Sequence, residues 1–279
     1  MRFRTELEIT ASSRLLALDG KYVSLGSCFS QAIGNRLCDG GVNISVTPMG
    51  ILFNPLSIAN IVNRQRNFDI KDLYCDDKGI CHALDFESRR QNSECDSLLD
   101  SLNNDFNTFR QQLDAADCWL ITFGTAWCFR HIPTDKVVGN CHKLPDKEFE
   151  RRLCSVDEII TGWSSILEKA PRIIFTVSPV RHLNDGLHGN TLSKSRLHLA
   201  IEELCNRFDN AEYFPAFEAL NDDLRDYRFY ADDMKHPTTQ AEEYIFELFA
   251  KTYFDTKSRE VIESNRRNVR LRLHRPIIK

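Results

Sequence analysis

The sequence predicts an α/β protein built on a mostly parallel sheet of about five strands, with helices on both faces. Short apolar runs with the composition of buried strands alternate with amphipathic helical patterns along the chain. Strands that alternate with helices form parallel sheets, because each helix returns the chain to the same edge. Ligands bind beyond the carboxyl ends of such strands, so the residues that follow them are the first candidates for a functional site.

The predicted elements follow from apolar runs, helical spacing and helix caps. Apolar residues at spacings of three and four within Leu98–Leu113 predict one helix. Two capping boxes, Ser155–Glu158 and Thr239–Glu242, predict the starts of two more helices. The predicted strands are Tyr22–Leu25, Val42–Val46, Cys118–Phe123, Arg172–Val177 and Ala211–Phe214.

Length and composition indicate one domain, residues 1–255, with two insertions and a basic C-terminal segment. The chain has 279 residues, of which 42% are hydrophobic and 27% are charged, as is typical of a globular protein. The segments near 68–95 and 127–147 interrupt the alternation, and we expect them to be insertions that can wall a site. Residues 256–279 are rich in Lys and Arg, which predicts a solvated tail or an extra helix.

Charge and hydropathy argue against several function classes. The net charge of −4 argues against a general nucleic-acid binder. No apolar run approaches the roughly 20 residues that span a bilayer, so no membrane partner is expected. The charged start Met1–Glu6 has no apolar stretch behind it, which predicts a cytoplasmic location without a secretory signal. The oligomeric state stays open.

The ten cysteines predict reduced thiols rather than a disulfide framework, since no export signal is evident. Neither a paired C-x-x-C spacing nor a G-x-G-x-x-G motif after a strand is present, so we expect no metal ion and no dinucleotide. Two weaker groups of zinc-binding residue types remain: Cys128 and His131 with Cys141 and His142, and Cys75 and Cys81 with His82.

Gly26, Ser27 and Cys28 stand where the first predicted strand passes into a helix. Glycine permits a sharp turn, and the next residues lie at a helix N-terminus, where backbone N–H groups favour negative charge. We expect this position to lower the pKa of the Cys28 thiol and make it a nucleophile. The same pattern is compatible with Ser27 as a helix cap and Cys28 as a core residue.

Asp233 and His236 have the D-x-x-H spacing of a carboxylate that turns back to hold an imidazole. Such a carboxylate fixes one ring nitrogen and leaves the other to act as a base. The spacing alone is a weak signal. Together with a nucleophile at a strand end, it predicts acyl transfer.

Two further polar motifs predict substrate binding. Arg181 and His182 follow the fourth predicted strand, and the planar guanidinium suits a carboxylate or phosphate. Asn140, His142 and Lys143 follow a short apolar pair, and the last two suit an anionic or sugar group. The alternative for these three is a packed, hydrogen-bonded loop.

Seven short motifs occur in order along the chain. They are GSCF (Gly26–Phe29), GILFNP (Gly50–Pro55), FGTAW (Phe123–Trp127), NCHK (Asn140–Lys143), SPVRH (Ser178–His182), YFPAFE (Tyr213–Glu218) and LRDYRFYADDMKHP (Leu224–Pro237). Together they resemble the GSCFA family, which is related to the SGNH (GDSL-like) hydrolases. The resemblance covers the chain up to about Asp255, and departs from the family name at Ser30, where alanine is expected.

The resemblance implies a flavodoxin-like three-layer α/β/α fold with an SGNH-like site. Counted from the glycine of the first block, the nucleophile of that plan falls on Cys28, with Ser27 as the alternative. Asp233 and His236 match the last block, which supplies the orienting acid and the base.

The resemblance also implies an oxyanion hole. Gly50 is the candidate for the second-block glycine, and Gly124 matches the third block. Ala126 stands where that block usually has asparagine, so one donor is missing or comes from Asn54 or Asn140. Loss of one such donor typically costs about 100–1000-fold in rate.

We therefore expect an acyl-transfer enzyme that works through a covalent acyl-enzyme. The substrate is a small-molecule or carbohydrate ester, or a thioester such as acetyl-CoA, and no other cofactor is expected. Transfer to water gives an esterase or deacetylase, and transfer to a sugar hydroxyl gives an O-acyltransferase. The alternative is a non-catalytic module that binds glycans or anions on the same shell.

Overall fold

The computed structural model describes residues 5–273. Its strands are, in chain order, β1 (Lys21–Gly26), β2 (Asn43–Val46), β3 (Tyr74–Cys75), β4 (Cys81–His82), β5 (Gln91–Asn92), β6 (Cys118–Phe123), β7 (Trp127–His131), β8 (Lys136–Val138), β9 (Phe149–Leu153), β10 (Arg172–Val177) and β11 (Ala211–Tyr213). The helices are α1 (Cys28–Asp39), α2 (Pro55–Val62), α3 (Cys95–Ala115), α4 (Val156–Leu167), α5 (Gly186–Arg207), α6 (Ala216–Glu218), α7 (Thr239–Tyr253) and α8 (Thr256–Leu273). Short 3₁₀ helices cover Ile70–Asp72, Ile132–Thr134, Asp146–Glu148, Leu183–Asp185 and Tyr227–Phe229, and a π-helix covers Ala219–Leu224.

Five of these strands form the central sheet in the order β11-β10-β6-β1-β2, and every neighbouring pair is parallel. Numbered along the chain within this sheet, the order is 2-1-3-4-5, which is that of flavodoxin-like folds. The prediction of an α/β fold with five parallel strands is confirmed. The strand order reverses between β1 and β6, and ligands bind at such a reversal, beyond the carboxyl ends of the strands.

Helices cover both faces of the central sheet, because successive side chains of each strand point to opposite faces. Val23, Ile121 and Phe175 lie in one hydrophobic layer with α2, α3, α4 and α5. Tyr22 and Leu120 lie in the other layer with α1, α7 and α8. The inner strands β1, β6 and β10 are thus buried from two sides, which explains why they read as nearly continuous apolar runs.

The two predicted capping boxes have different outcomes. The amide of Glu158 donates to Ser155 Oγ at 3.1 Å and the amide of Ser155 donates to the Glu158 carboxylate at 2.8 Å, so the first capping box is confirmed. The prediction that Thr239 caps the next helix is wrong by one residue. Thr238 has the extended backbone of a cap, and its Oγ1 accepts from the amide of Ala241 at 3.2 Å.

Two small antiparallel sheets and one C-terminal helix complete the fold. The sheet β3-β4-β5 falls within the segment 68–95, and the sheet β8-β7-β9 runs from residue 127 to 153. In α8, Ile262 is buried and Arg266 donates to the Glu243 carboxylate at 2.6 and 2.7 Å. The basic segment therefore forms a packed helix, while residues 274–279 of the predicted tail lie outside the described residues. None of the helices in the described range is long and apolar enough to cross a membrane.

Candidate active site

The turn between β1 and α1 sets Cys28 at the first residue of a helix. Gly26 has a φ of +131°, and a Cβ at this position would lie 2.0 Å from the carbonyl oxygen of Thr122, so only glycine fits. Gly26 pairs with Thr122 at the end of the β1–β6 ladder. Cys28 therefore lies at the carboxyl edge of the sheet, where the strand order reverses.

A cleft of about 460 Å³ opens beyond this edge, and both Cys28 and His236 line it. The fold thus brings the elbow after the first strand to the loop that precedes α7. His236 Nδ1 lies 2.5 Å from Asp233 Oδ2, and the amides of Lys235 and His236 donate to Asp233 Oδ1 at 2.9 and 3.0 Å. These bonds hold the pKa of the Asp233 carboxyl well below its usual range. The bond from the amide of His236 has the largest effect. With Nδ1 held, Nε2 is the ring nitrogen left for proton transfer.

Ser27, the other candidate nucleophile, is buried beneath the elbow. It is 1% exposed, and its Oγ has no hydrogen-bond partner within residues 5–273. A Cβ added to Gly124 would lie 3.2 Å from Ser27 Cβ, so the side chain packs against the loop that follows β6. Cys28 lines the cleft and Ser27 does not.

The environment of Cys28 differs from what the helix N-terminus alone predicts. Burial raises the pKa of the Cys28 thiol, whereas the amides of Phe29 and Cys28 act in the opposite direction. The lost hydration of the thiolate outweighs the field of the first helical turn. The expectation of a lowered pKa is therefore wrong, and the thiol is the resting form at neutral pH.

Lys194 lies beneath the site and was not a candidate in the sequence. It is 2% exposed, and its Nζ donates to the carbonyl oxygens of Gly124 and Ser178, each at 2.6 Å. These two residues follow β6 and β10, so the ammonium group ties the ends of two central strands. Burial lowers the pKa of Lys194 to about 7. The sequence could have indicated that Lys194 is buried, because it stands three residues before Leu197 on the buried face of α5.

The backbone amides of two predicted oxyanion donors, Gly50 and Gly124, already donate to carbonyl oxygens of the protein. The amide of Gly50 donates to the carbonyl oxygen of Thr47 at 2.8 Å, and the amide of Gly124 donates to that of Phe53 at 2.8 Å. Gly50 has a φ of +88°, and its amide closes the turn after β2. The amides of Gly50 and Gly124 are therefore not part of the proposed oxyanion hole.

Asn54 is the predicted donor that lines the cleft. Its Oδ1 accepts from the amide of Ser57 at 2.8 Å, which caps α2, and its Nδ2 donates to Ser57 Oγ at 2.9 Å. A side-chain amide nitrogen carries two hydrogens. One N–H of Asn54 therefore remains beyond the bond to Ser57.

Arg181 and His182 also line the cleft. The guanidinium carbon of Arg181 lies 4.0 Å from the ring centre of Tyr230, a cation–π contact. The ring of His182 packs edge-on against Phe53 with 6.0 Å between ring centres. Burial, followed by the positive charge of Lys194, lowers the pKa of His182 to about 3, so this imidazole is neutral at physiological pH.

The structure does not bring Asn140, His142 and Lys143 to the cleft, whose lining includes none of them. Asn140 Oδ1 accepts from the amide of His142 at 2.8 Å. His142 is 4% exposed, its Nε2 lies 3.0 Å from the carbonyl oxygen of Phe86, and its ring packs edge-on against His82. This arrangement is the packed loop that was the alternative, and we do not carry the three residues into the proposed function.

An aromatic wall of the cleft was also missed in the sequence. Trp127 and Phe129, alternate residues of β7, line the cleft together with Arg151 of β9. The guanidinium carbon of Arg151 lies 4.9 and 5.5 Å from the two ring centres, and Arg151 also pairs with the carboxylate of Asp185. The pairing of β7 with β9 brings these side chains together, and this pairing is not visible in local spacing.

The GSCFA family model matches residues 21–249. The chain belongs to the GSCFA family. Within this family match lie the three residues Cys28, Asp233 and His236, whereas α8 falls beyond it.

No curated protein matches this GSCFA protein. Among solved structures, it is similar to a carbohydrate esterase family 3 protein from Talaromyces cellulolyticus, with a TM-score of 0.37 and 9% identity over 88% of this chain and 99% of that one.

Proposed function

We propose that this GSCFA protein is an acyl-transfer enzyme that forms a covalent acyl-enzyme on Cys28. The observation that carries the proposal is that Cys28 and His236 line one cleft, while Asp233 holds the far nitrogen of the imidazole. A nucleophile, a base and an orienting carboxylate are the parts that acyl transfer requires.

In the proposed reaction, His236 Nε2 takes the proton from Cys28 Sγ as the sulfur attacks the carbonyl carbon of the substrate. Asp233 stabilises the imidazolium that forms. The imidazolium then gives its proton to the leaving oxygen or sulfur, and the acyl group stays on Cys28 as a thioester. Because burial raises the pKa of Cys28, the thiol depends on this base.

The proposed oxyanion hole consists of the backbone N–H of Cys28 and the second side-chain N–H of Asn54. Amides in the first turn of a helix have no carbonyl partner within the helix, so that of Cys28 suits developing negative charge. Asn54 lines the same cleft. Loss of either donor is expected to lower kcat by about 100–1000-fold.

The acyl-enzyme is resolved by water in an ester hydrolase or by a sugar hydroxyl in an O-acyltransferase. The aromatic rings of Trp127 and Phe129 line the cleft and favour a substrate with an apolar ring face, such as a carbohydrate. Arg181 and the neutral imidazole of His182 are the proposed polar contacts. A thioester such as acetyl-CoA is the proposed donor for transfer, and no other cofactor enters the reaction. The cytoplasmic location and the absence of nucleic-acid and membrane partners stay predictions.

The test compares Cys28→Ala with Ser27→Ala in the hydrolysis of p-nitrophenyl acetate. We expect Cys28→Ala to lose at least about 1000-fold in kcat/KM, and Ser27→Ala to stay within about 10-fold of the wild type. Thermal denaturation of both variants verifies that they fold. Full activity of Cys28→Ala would remove the proposal.

A non-catalytic binding module is the second candidate, and one observation favours it. The family resemblance implies that the amides of Gly50 and Gly124 bind the oxyanion. In the structure, both amides donate to backbone carbonyl oxygens instead. Calorimetric titration with acetyl-CoA or acetylated oligosaccharides distinguishes the two candidates. Saturable binding, together with no acylation of Cys28, would favour the module.

A further inference from the structure

Three cysteine side chains converge at the small sheet β3-β4-β5, and none of them lines the cleft. The Sγ atoms of Cys75, Cys81 and Cys95 all lie within 4.8 Å of one another. Cys81 and Cys95 form a disulfide bond, which corrects the expectation of reduced thiols for this pair. Cys75 Sγ lies 3.6 Å from Cys95 Sγ. The disulfide involves only two of the three sulfur atoms, so it does not explain why Cys75 lies next to them.

The strand register fixes this convergence. Cys75 and Cys81 are directly opposite in the antiparallel pair β3–β4, so their side chains share one face. The turn between them is closed by Asp76, whose Oδ1 accepts from the amides of Lys78 and Ile80 at 2.9 Å each. Cys95 is the first residue of α3. The elements β3, β4 and α3 therefore each place one cysteine sulfur in the same small region.

We propose that the reduced side chains of Cys75, Cys81 and Cys95 bind one zinc ion. Thiolates about 2.3 Å from a tetrahedral zinc ion lie about 3.8 Å apart, which is close to the 3.6 Å between Cys75 Sγ and Cys95 Sγ. Soft thiolate ligands select zinc over magnesium or calcium.

The fourth coordination position is open to water or to an external ligand. Within residues 5–273, no His, Cys, Asp or Glu joins the three cysteines at the same separation. His82, which the sequence groups with Cys75 and Cys81, instead places its Nε2 3.2 Å from Asp76 Oδ2. Cys75 is exposed, so solvent reaches the group.

Zinc and the disulfide exclude each other, because both use Cys81 and Cys95. A dithiol reductant converts the disulfide to two thiols and is itself oxidised to a disulfide. The three thiols then bind Zn²⁺ and release three protons. The bound ion would fasten the sheet β3-β4-β5 to the start of α3.

The test uses Co²⁺ as a coloured probe on the full, reduced, metal-free chain without oxygen. Complete reduction is verified by counting ten thiols in denaturant. We expect one equivalent of Co²⁺ to give a thiolate-to-cobalt charge-transfer band and one equivalent of Zn²⁺ to abolish it. Cys75→Ser is expected to lose the band. Cys38→Ser, which removes an exposed thiol of α1, is the matched control and is expected to keep it.

The absence of the band in the reduced wild type, or an unchanged band in Cys75→Ser, would overturn the proposal. A second comparison decides the question if Cys75→Ser does not fold. Oxidised wild type, with Cys81 and Cys95 joined, is expected to give no band, and the reduced wild type is expected to give it. Equal spectra from the two forms would overturn the three-cysteine site. None of these readouts depends on acyl transfer.

Discussion

His236 Nδ1 lies 2.5 Å from Asp233 Oδ2, although the two side chains are 49% and 44% exposed. An exposed contact of this kind is screened by water and contributes little to stability. In the proposed mechanism the contact acts through orientation, since it occupies Nδ1 and leaves Nε2 of His236 for proton transfer. A substitution of Asp233 is therefore expected to affect catalysis strongly and folding stability weakly.

Asp233→Asn is expected to lower kcat by about 100–10,000-fold, because an amide in this position favours the wrong tautomer of His236. The free energy of unfolding is expected to change little, because water screens this exposed contact. Asp232→Asn removes the same charge from the neighbouring exposed residue and serves as the control. Steady-state kinetics with p-nitrophenyl acetate measures both variants. Equal activity in the two would show that Asp233 does not orient the base.

Alkylation of Cys28 by iodoacetamide is expected to accelerate with pH, with a midpoint above the usual cysteine value of about 8.5. The reason is that burial raises the pKa of this thiol, and only the thiolate reacts. Peptide mass spectrometry of the wild type, alkylated briefly at a series of pH values, gives the midpoint. A midpoint below 7 would mean that the helix N-terminus outweighs burial.

Lys194 is expected to make the stability of the protein depend on pH. Its pKa in the folded state is about 7, below the roughly 10.4 of an unfolded chain, so the unfolded state binds more protons between these values. The contribution of this group is fully present above pH 10.4 and is lost as pH falls to 7. Relative to Lys194→Met, the wild type therefore gains free energy of unfolding from pH 7 to pH 9.

Urea denaturation of both proteins at the two pH values tests this expectation for Lys194. The difference between two proteins removes the titration of the groups that they share. A difference that does not change with pH would show that the pKa of Lys194 is not lowered in the folded state.

Gly26→Ala is expected to lower the free energy of unfolding by about 2–5 kcal/mol, from backbone strain and overpacking together. Its φ of +131° is unfavourable for alanine, and the new Cβ would meet the carbonyl oxygen of Thr122. Gly79→Ala is the control, because Gly79 has a φ of +76° but nothing within 4 Å of an added Cβ. There we expect a loss of only about 1–2 kcal/mol. Equal losses in urea denaturation would contradict the close approach of β1 to β6.

The inner strands β1, β6 and β10 could be predicted from the sequence because each is buried on two faces. The run Tyr22–Leu25 lies inside β1, and the runs Cys118–Phe123 and Arg172–Val177 coincide with β6 and β10. The strands Tyr74–Cys75 and Cys81–His82 could not be predicted, because two residues show no periodicity. Their pairing, which brings Cys95 next to them, is a tertiary property.

The candidate site divides in the same way. Asp233 and His236 follow from local spacing, and Cys28 follows from the turn after the first strand together with the family resemblance. The structure brings Cys28 and His236 to one cleft. The burial of Ser27 depends on packing against Gly124, which is remote in the chain. The pKa of Cys28 depends on how much water the completed fold removes. Lys194 was missed because lysine is almost never fully buried, so its residue type argues against the position that it occupies.

The role of Cys28 as the acyl carrier is tested by the intact mass of the protein, mixed briefly with p-nitrophenyl acetate and quenched in acid. We predict one added acetyl group per chain in the wild type and in Ser27→Ala, located by peptide mapping on Cys28, and none in Cys28→Ala. An acetyl group on Ser27, or undiminished turnover by Cys28→Ala without any adduct, would contradict it.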